Sequence, residues 1–146
     1  MTPERTLVCH LSMILRGWCV YMNERLHPLG LTYGQFPFLL HLGHTPGVTQ
    51  ETLARHFRID KGAVARAARR LEEDGFIRRE VDPTDRRAVR LSLTEQGEAV
   101  LPEIRRLQRE WEAVACAGLG PEGEQALCAL LAQVAGNIAG EGCRHE

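Results

Sequence analysis

No apolar run in this 146-residue sequence approaches the roughly 18 to 20 residues that a membrane-spanning helix requires. The N-terminal stretch MTPERTLVCH lacks the charged-then-apolar pattern of a secretory signal, so a cytoplasmic protein with no membrane partner is expected. The five cysteines, Cys9, Cys19, Cys116, Cys128 and Cys143, include no C-x-x-C pair, and their odd number argues against a closed disulfide framework. Also missing are a phosphate-binding glycine loop, a G-x-S-x-G elbow and an H-E-x-x-H helix. Cys9 and His10 are sequence neighbours, so on a helix they point to different sides and cannot serve each other as nucleophile and base. An enzyme is therefore not expected, and no motif requires a cofactor. There is no internal repeat and no low-complexity tract. With 44% hydrophobic residues, the length suits one compact domain over residues 1–146 and is too short for two.

The net charge of −1 hides an uneven distribution. From Arg55 to Arg90 there are eleven Lys or Arg against seven Asp or Glu, and the remaining 110 residues sum to −5. A basic stretch fits a solvated surface as well as a polyanion-binding one, so the architecture beneath it must decide.

Along the chain, Leu7, Leu11, Ile14, Trp18, Met22 and Leu26 recur at spacings of three and four, the stripe of a long amphipathic helix ending near His27-Pro28. Thr32 reads as the N-cap of a second helix that carries Phe36, Leu39, Leu40 and Leu42 and stops at Gly43, with Pro37 near its first turn. Thr49 reads as the next N-cap, with Val48 and Leu53 spaced as a hydrophobic staple, for a short helix to about Phe57. Asp60 repeats the device with Ile59 and Val64, opening a helix from Lys61 to about Asp74. Two capped helices separated by Arg58 to Asp60 make a helix-turn-helix.

The second of these helices buries Val64, Ala67, Ala68 and Leu71, which leaves Arg66, Arg69 and Arg70 with the small Gly62, Ala63 and Ala65 on its other face. After Gly75, the stretches from Phe76 to Val81 and from Ala88 to Leu93 read as paired strands around an exposed loop, Asp82 to Arg87, whose far end is basic. Thr94 caps a long helix carrying Val100, Ile104, Leu107, Trp111 and Val114, which Pro102 is expected to kink. The last helix follows Gly120-Pro121 with Leu127, Leu130, Leu131, Val134 and Ile138, a stripe too rich for a chain of this length to cover with its own helices.

The expected fold is therefore mainly α, a winged helix-turn-helix (about 30–97) with a two-stranded β wing. The major groove of DNA is about 12 Å wide and admits one helix, so the Lys61 helix would present Arg66 to base edges and Arg69 and Arg70 to phosphates. Lys61, Gly62 and Ala63 would bring its N-terminus close to the backbone. A protein-interaction module would not need arginines both on this face and at the loop tip.

At this point the sequence resembles the MarR family, whose wing carries Asp-x-Arg, five residues, then Leu-Thr. Asp85, Arg87, Leu93 and Thr94 keep that spacing, and Glu95-Gln96-Gly97 and Leu71-Glu72-Glu73-Asp74-Gly75-Phe76-Ile77 are also similar. The resemblance implies that Arg87, beside Arg86, enters the minor groove of double-stranded DNA, while Asp85 holds the wing through an ion pair with a neighbouring arginine. One departure is that Gly62, Ala63 and Ala65 stand where the family usually has Ser or Thr early in the recognition helix. The resemblance further implies a homodimer built from terminal helices (about 1–28 and 121–146), acting as a repressor on a pseudo-palindromic operator. Its effector would be a small phenolic or lipophilic anion, for which His10, Trp18, Tyr33, Phe36 and His41 are the candidate lining. Some relatives instead sense peroxide through a first-helix cysteine, which makes Cys9 or Cys19 the alternative switch. Zinc is a further switch among relatives, but His41 and His44, three apart, supply half a site at most, so no metal is expected.

Overall fold

The computed structural model describes residues 6–142, so Cys143 lies outside the described residues. The chain divides into two compact units, one through Gln108 and one from Arg109.

The first unit begins with α1 (Leu7–Leu26), capped by Thr6, whose hydroxyl accepts from the Cys9 N–H. Its apolar stripe changes character along its length: Met22 and Leu26 are buried, Trp18 is half-buried, and Ile14 is 54% exposed. A 3-10 turn (His27–Leu29) and Gly30, with φ of 77°, reverse the chain. The second helix then starts later than its apolar pattern predicts. Thr32 does not cap it; Thr32 and Gln35 close a turn on each other, the Thr32 N–H donating to Gln35 Oε1 and the Gln35 N–H to the Thr32 carbonyl. The helix α2 (Phe36–His44) begins after that turn. The reason is Pro37. A cap at Thr32 would put Pro37 at the fifth helical position, where its missing N–H breaks a bond, whereas a start at Phe36 places it among the four N–H groups that need no intrahelical partner.

The chain continues through β1 (Val48–Thr49), α3 (Gln50–Phe57) and α4 (Lys61–Glu73). The caps predicted for these helices are in place: Thr49 Oγ1 accepts from the Thr52 N–H at 3.1 Å and Asp60 Oδ2 from the Ala63 N–H at 3.1 Å. Val48 and Leu53 are both buried as the first staple requires, but Ile59 stays 39% exposed, so the second staple is open. Between α3 and α4, Arg58 takes a left-handed conformation with φ of 54°, which costs a non-glycine residue about 1 kcal/mol.

The strands β2 (Ile77–Val81) and β3 (Val89–Leu93) pair antiparallel, Ile77 opposite Leu93 and Val81 opposite Val89. The sheet has three strands rather than the two expected, in the order β1-β3-β2, because Val48 and Thr49 pair with Leu91 and Arg90. Behind it, Met22, Leu26, Leu39, Leu42, Leu53, Val64, Leu71, Leu91 and Ile104 form the fully buried centre of the core. Then α5 (Glu95–Ala115) starts at Thr94, whose hydroxyl donates to the Gly75 carbonyl and accepts from the Gly97 N–H at 3.1 Å. Pro102 lies inside α5, which continues on both sides of it.

The second unit holds the end of α5, a turn and α6 (Gly120–Gly142). None of its described residues is buried, and Leu130 is 63% exposed. Among the described residues no helix is long and apolar enough to cross a membrane.

Gly97 sets how closely α5 approaches the sheet. A methyl group there would land on the Phe76 carbonyl oxygen and meet Leu93 Cδ2 at 3.2 Å. The change Gly97→Ala should therefore destabilise the protein by roughly 1–3 kcal/mol, lowering Tm by several degrees in a calorimetric melt. An unchanged Tm would mean that the helix start yields freely.

Candidate nucleic-acid interface

The helix α4 buries Val64, Ala68 and Leu71 and turns its other face to solvent. Arg66, Arg69 and Arg70 stand on that face, all exposed. The Arg66 side chain leans back over the helix start: a Cβ on Gly62 would meet Arg66 Nη1 at 3.2 Å and Asp60 Oδ2 at 2.8 Å. Gly62 thus makes room for the Arg66 guanidinium, and Ala63 donates its N–H to the Asp60 cap. The predicted contact residues differ in how they are engaged. Lys61 Nζ lies 3.3 Å from Glu51 Oε1 on α3, and Arg70 Nε lies 3.1 Å from Asp74 Oδ2. Among the described residues Arg66 and Arg69 have no ion-pair partner.

The wing is held by residues that sequence reasoning did not single out. Asp82 is 5% exposed; its Oδ1 accepts from the Thr84 N–H at 2.8 Å and the Thr84 hydroxyl at 2.6 Å, and its Oδ2 from Arg90 Nε at 2.5 Å. Arg90 also donates from Nη1 to the Gly47 carbonyl at 2.7 Å, which ties β3 to the residue before β1. The wing ion pair expected of Asp85 is thus made by Asp82. Asp85 instead shapes the tip, its Oδ1 accepting from the Arg87 N–H and its carbonyl from the Ala88 N–H, both at 3.0 Å. The physical reason is position: Asp82 follows the last strand pair and faces β3, whereas Asp85 sits out on the loop. The signal was present as Asp82-Pro83-Thr84, an Asx turn in which the aspartate accepts from the residue two further on. Arg86 and Arg87 project at the tip, exposed, with side chains that have no partner among the described residues.

A second unpredicted tie joins wing to helix. Glu72 on α4 accepts from both the Arg79 N–H (3.1 Å) and Arg79 Nε (3.0 Å) on β2. The helix face and the wing tip are thus two basic surfaces on one braced frame.

The five candidate effector residues fall in three places. Trp18, Tyr33 and Phe36 form one edge-to-face cluster with ring centroids 5.6 to 6.5 Å apart. His41 is elsewhere, its ring 4.2 Å from that of His56 and 5.7 Å from Phe57. Burial, then the neighbouring His56 and His44, lower the His41 pKa. His10, about 12 Å along α1 from Trp18, lies with Nδ1 3.1 Å from the Thr6 carbonyl oxygen. Cys9 is exposed and Cys19 half-buried, its Sγ accepting from Asn23 Nδ2. In the second unit, partial burial and then Glu124, Cys128 and Glu112 push the Cys116 thiol up. Among the described residues no three His, Cys, Asp or Glu side chains gather as a metal site.

The Thr84 hydroxyl and N–H, with Arg90, lower the Asp82 carboxyl from 3.8 to about 2. A carboxyl held below its unfolded value adds stability that is present above about 3.8 and lost as pH falls toward 2. The Thr84 amide resonance should therefore titrate in NMR with a midpoint near 2, and Asp82→Asn should broaden the wing amides at neutral pH. A midpoint near the ordinary aspartate value would sink this account of the wing.

A sequence profile of the MarR family matches residues 29–88. The HTH-type transcriptional regulator YybA of Bacillus subtilis is 34% identical over 128 residues, which span 88% of this chain and 85% of that one. A crystal structure of MarR is 38% identical with a TM-score of 0.84, covering 97% of this chain and 98% of its own. A MarR family transcriptional regulator from Listeria monocytogenes, solved with 26mer DNA, is 28% identical with a TM-score of 0.86, covering 94% and 92%. With a relative above 30% identity along most of its length and the winged helix-turn-helix in place, the chain belongs to the MarR family of transcriptional regulators.

Proposed function

We propose that this chain binds double-stranded DNA as a homodimer in the cytoplasm and acts as a repressor on a pseudo-palindromic operator. The observation that carries the reading is the braced pair of basic surfaces. Arg66 and Arg69 on α4 and Arg86 and Arg87 at the wing tip are exposed and unpaired, and Glu72 with Arg79 fixes helix and wing to each other. Unpaired guanidinium groups on a rigid frame can meet phosphates and base edges without first breaking internal ion pairs. The Listeria relative with its DNA supports the same use of the fold. In this reading Arg66 reads a base in the major groove, Arg69 positions the helix on phosphate, and Arg87, beside Arg86 and shaped by Asp85, reaches the minor groove. Gly62 and Ala63 let the helix start approach the backbone, and Lys61 and Arg70 exchange Glu51 and Asp74 for phosphate.

The dimer would form through α1 and α6, which lie within the terminal segments expected to build it (about 1–28 and 121–146). Their apolar side chains, such as Ile14 and Leu130, stay exposed in the single chain, the condition a partner helix relieves. Two copies then present recognition helices to half-sites about 34 to 36 Å apart. A small phenolic or lipophilic anion at the Trp18, Tyr33 and Phe36 cluster would release the DNA by favouring a different spacing of the two wings.

Fluorescence anisotropy with duplex DNA from upstream of the gene tests the reading. Binding should saturate, weaken with salt at a log–log slope of about −0.9 per phosphate contact, and lose roughly 1 to 3 kcal/mol with Arg66→Ala or Arg87→Ala. Equal affinity for random duplex, with both variants unchanged, would overturn it. Sedimentation velocity should give a dimer, and Ile14→Asp combined with Leu130→Asp should give a monomer with the same helix content. A wild-type monomer at micromolar concentration would remove the dimer from the proposal.

A further inference from the structure

Of the 18 Lys and Arg residues in this chain, Lys61 is the only lysine, and it is the first residue of α4, on the surface proposed to meet DNA. We propose that Lys61 is a modification site: a small phosphate-bearing acyl donor transfers its acyl group to the side-chain amine, which removes the charge and weakens the hold on DNA. The effect on DNA rests on the DNA-binding reading; the chemistry at Nζ does not.

Three observations carry the assignment. First, charge alone does not explain a lysine here. A guanidinium would meet Glu51 or a phosphate through two parallel hydrogen bonds, and the chain uses arginine at all its other Lys or Arg positions. What lysine has and arginine lacks is a primary amine, a nucleophile once it has lost a proton. Second, the amine is accessible and a base stands beside it. The Lys61 side chain is 74% exposed, and Glu51 Oε1 lies 3.3 Å from Nζ. Third, the surroundings draw an anionic donor. The Arg66 guanidinium leans back over the helix start, and the Asp60 carboxylate is engaged by the Ala63 N–H. Positive charge gathered in one place raises the local concentration of a donor that carries a phosphate.

The step balances without a change of oxidation state. Glu51 takes one proton from the ammonium and passes it to water. The Nζ lone pair then attacks the acyl carbonyl carbon, the N–C bond forms as the acyl–oxygen bond breaks, and phosphate leaves with the bonding electrons and the second proton. The product is a neutral amide that no longer attracts a DNA phosphate. Its formation does not weaken α4, because a cation at the first position of a helix opposes the positive end of the helix dipole.

The test treats the full chain with acetyl phosphate, maps the acetyl groups by tryptic digestion and mass spectrometry, and measures operator affinity by anisotropy before and after treatment. Acetylation blocks cleavage after Lys61, so a peptide running from Ile59 to Arg66 should appear, more slowly in Glu51→Gln and more slowly with operator bound. The acetylated chain should bind the operator roughly threefold to tenfold more weakly, with a log–log salt slope shallower by about 0.9 per chain and the same helix content by circular dichroism. Treated Lys61→Arg should keep the affinity that this variant had before treatment, which separates Lys61 from the amine of Met1. No acetyl group on Lys61, an acetylated chain that binds as tightly as the untreated one, or an equal loss in treated Lys61→Arg would each overturn the proposal. Failure of the DNA reading is distinguishable from these, since it would show in the untreated chain as equal affinity for operator and random duplex.

Discussion

Arg90 stands where three separate pieces of the chain must be held together. Its guanidinium reaches Asp82 across the hairpin and the Gly47 carbonyl at the entrance to β1, so one side chain joins the wing to the strand that leads into α3. Because Asp82 is nearly excluded from solvent, its charge would be costly without the Thr84 and Arg90 donors, and the three groups stand or fall together. On the other edge Glu72 performs the matching task between α4 and β2. The apolar faces of α4 and the sheet share one core through Val64, Leu71, Ile77 and Leu91, and the polar contacts add a fixed geometry to that less directional packing.

What could be read from the sequence was what local chemistry decides. Thr49, Asp60 and Thr94 each cap a helix by accepting from an N–H three residues on, a distance short enough to see in a string of letters. The buried face of α4 and the order helix, turn, helix, hairpin were legible for the same reason. The start of α2 was not, because a plausible Thr32 cap competes with the demand of Pro37, and only the second constraint is absolute. The strand β1 was invisible in principle: two residues carry no periodicity, and their partners on β3 lie more than forty positions away. The exchange of roles between Asp82 and Asp85 followed from relying on motif spacing over strand register.

The arginines separate in the same way. Sequence assigned Lys61 and Arg70 to the same surface as Arg66 and Arg69, but Glu51 and Asp74 compensate the first two in the folded chain. Arg70 and Asp74 are four apart on one helix and could have been paired on paper; Lys61 and Glu51 are on different helices and could not. Exposed pairs of this kind are worth little, so they mark positions where charge is available at small cost rather than charge that is spent.

The anchoring of the wing has a consequence for how such a protein diverges. Every contact that fixes the hairpin lies at or below Asp82, Thr84 and Ala88, leaving Asp85 to Arg87 to fold on the Asp85 turn. The tip can therefore gain, lose or exchange residues over generations without disturbing the sheet that carries it. The same freedom is closed to Gly47, Arg90 and Asp82, where any change is felt at both ends of the frame. Variation in target preference among descendants of this chain is thus channelled to a handful of loop positions, while the brace beneath them is inherited intact.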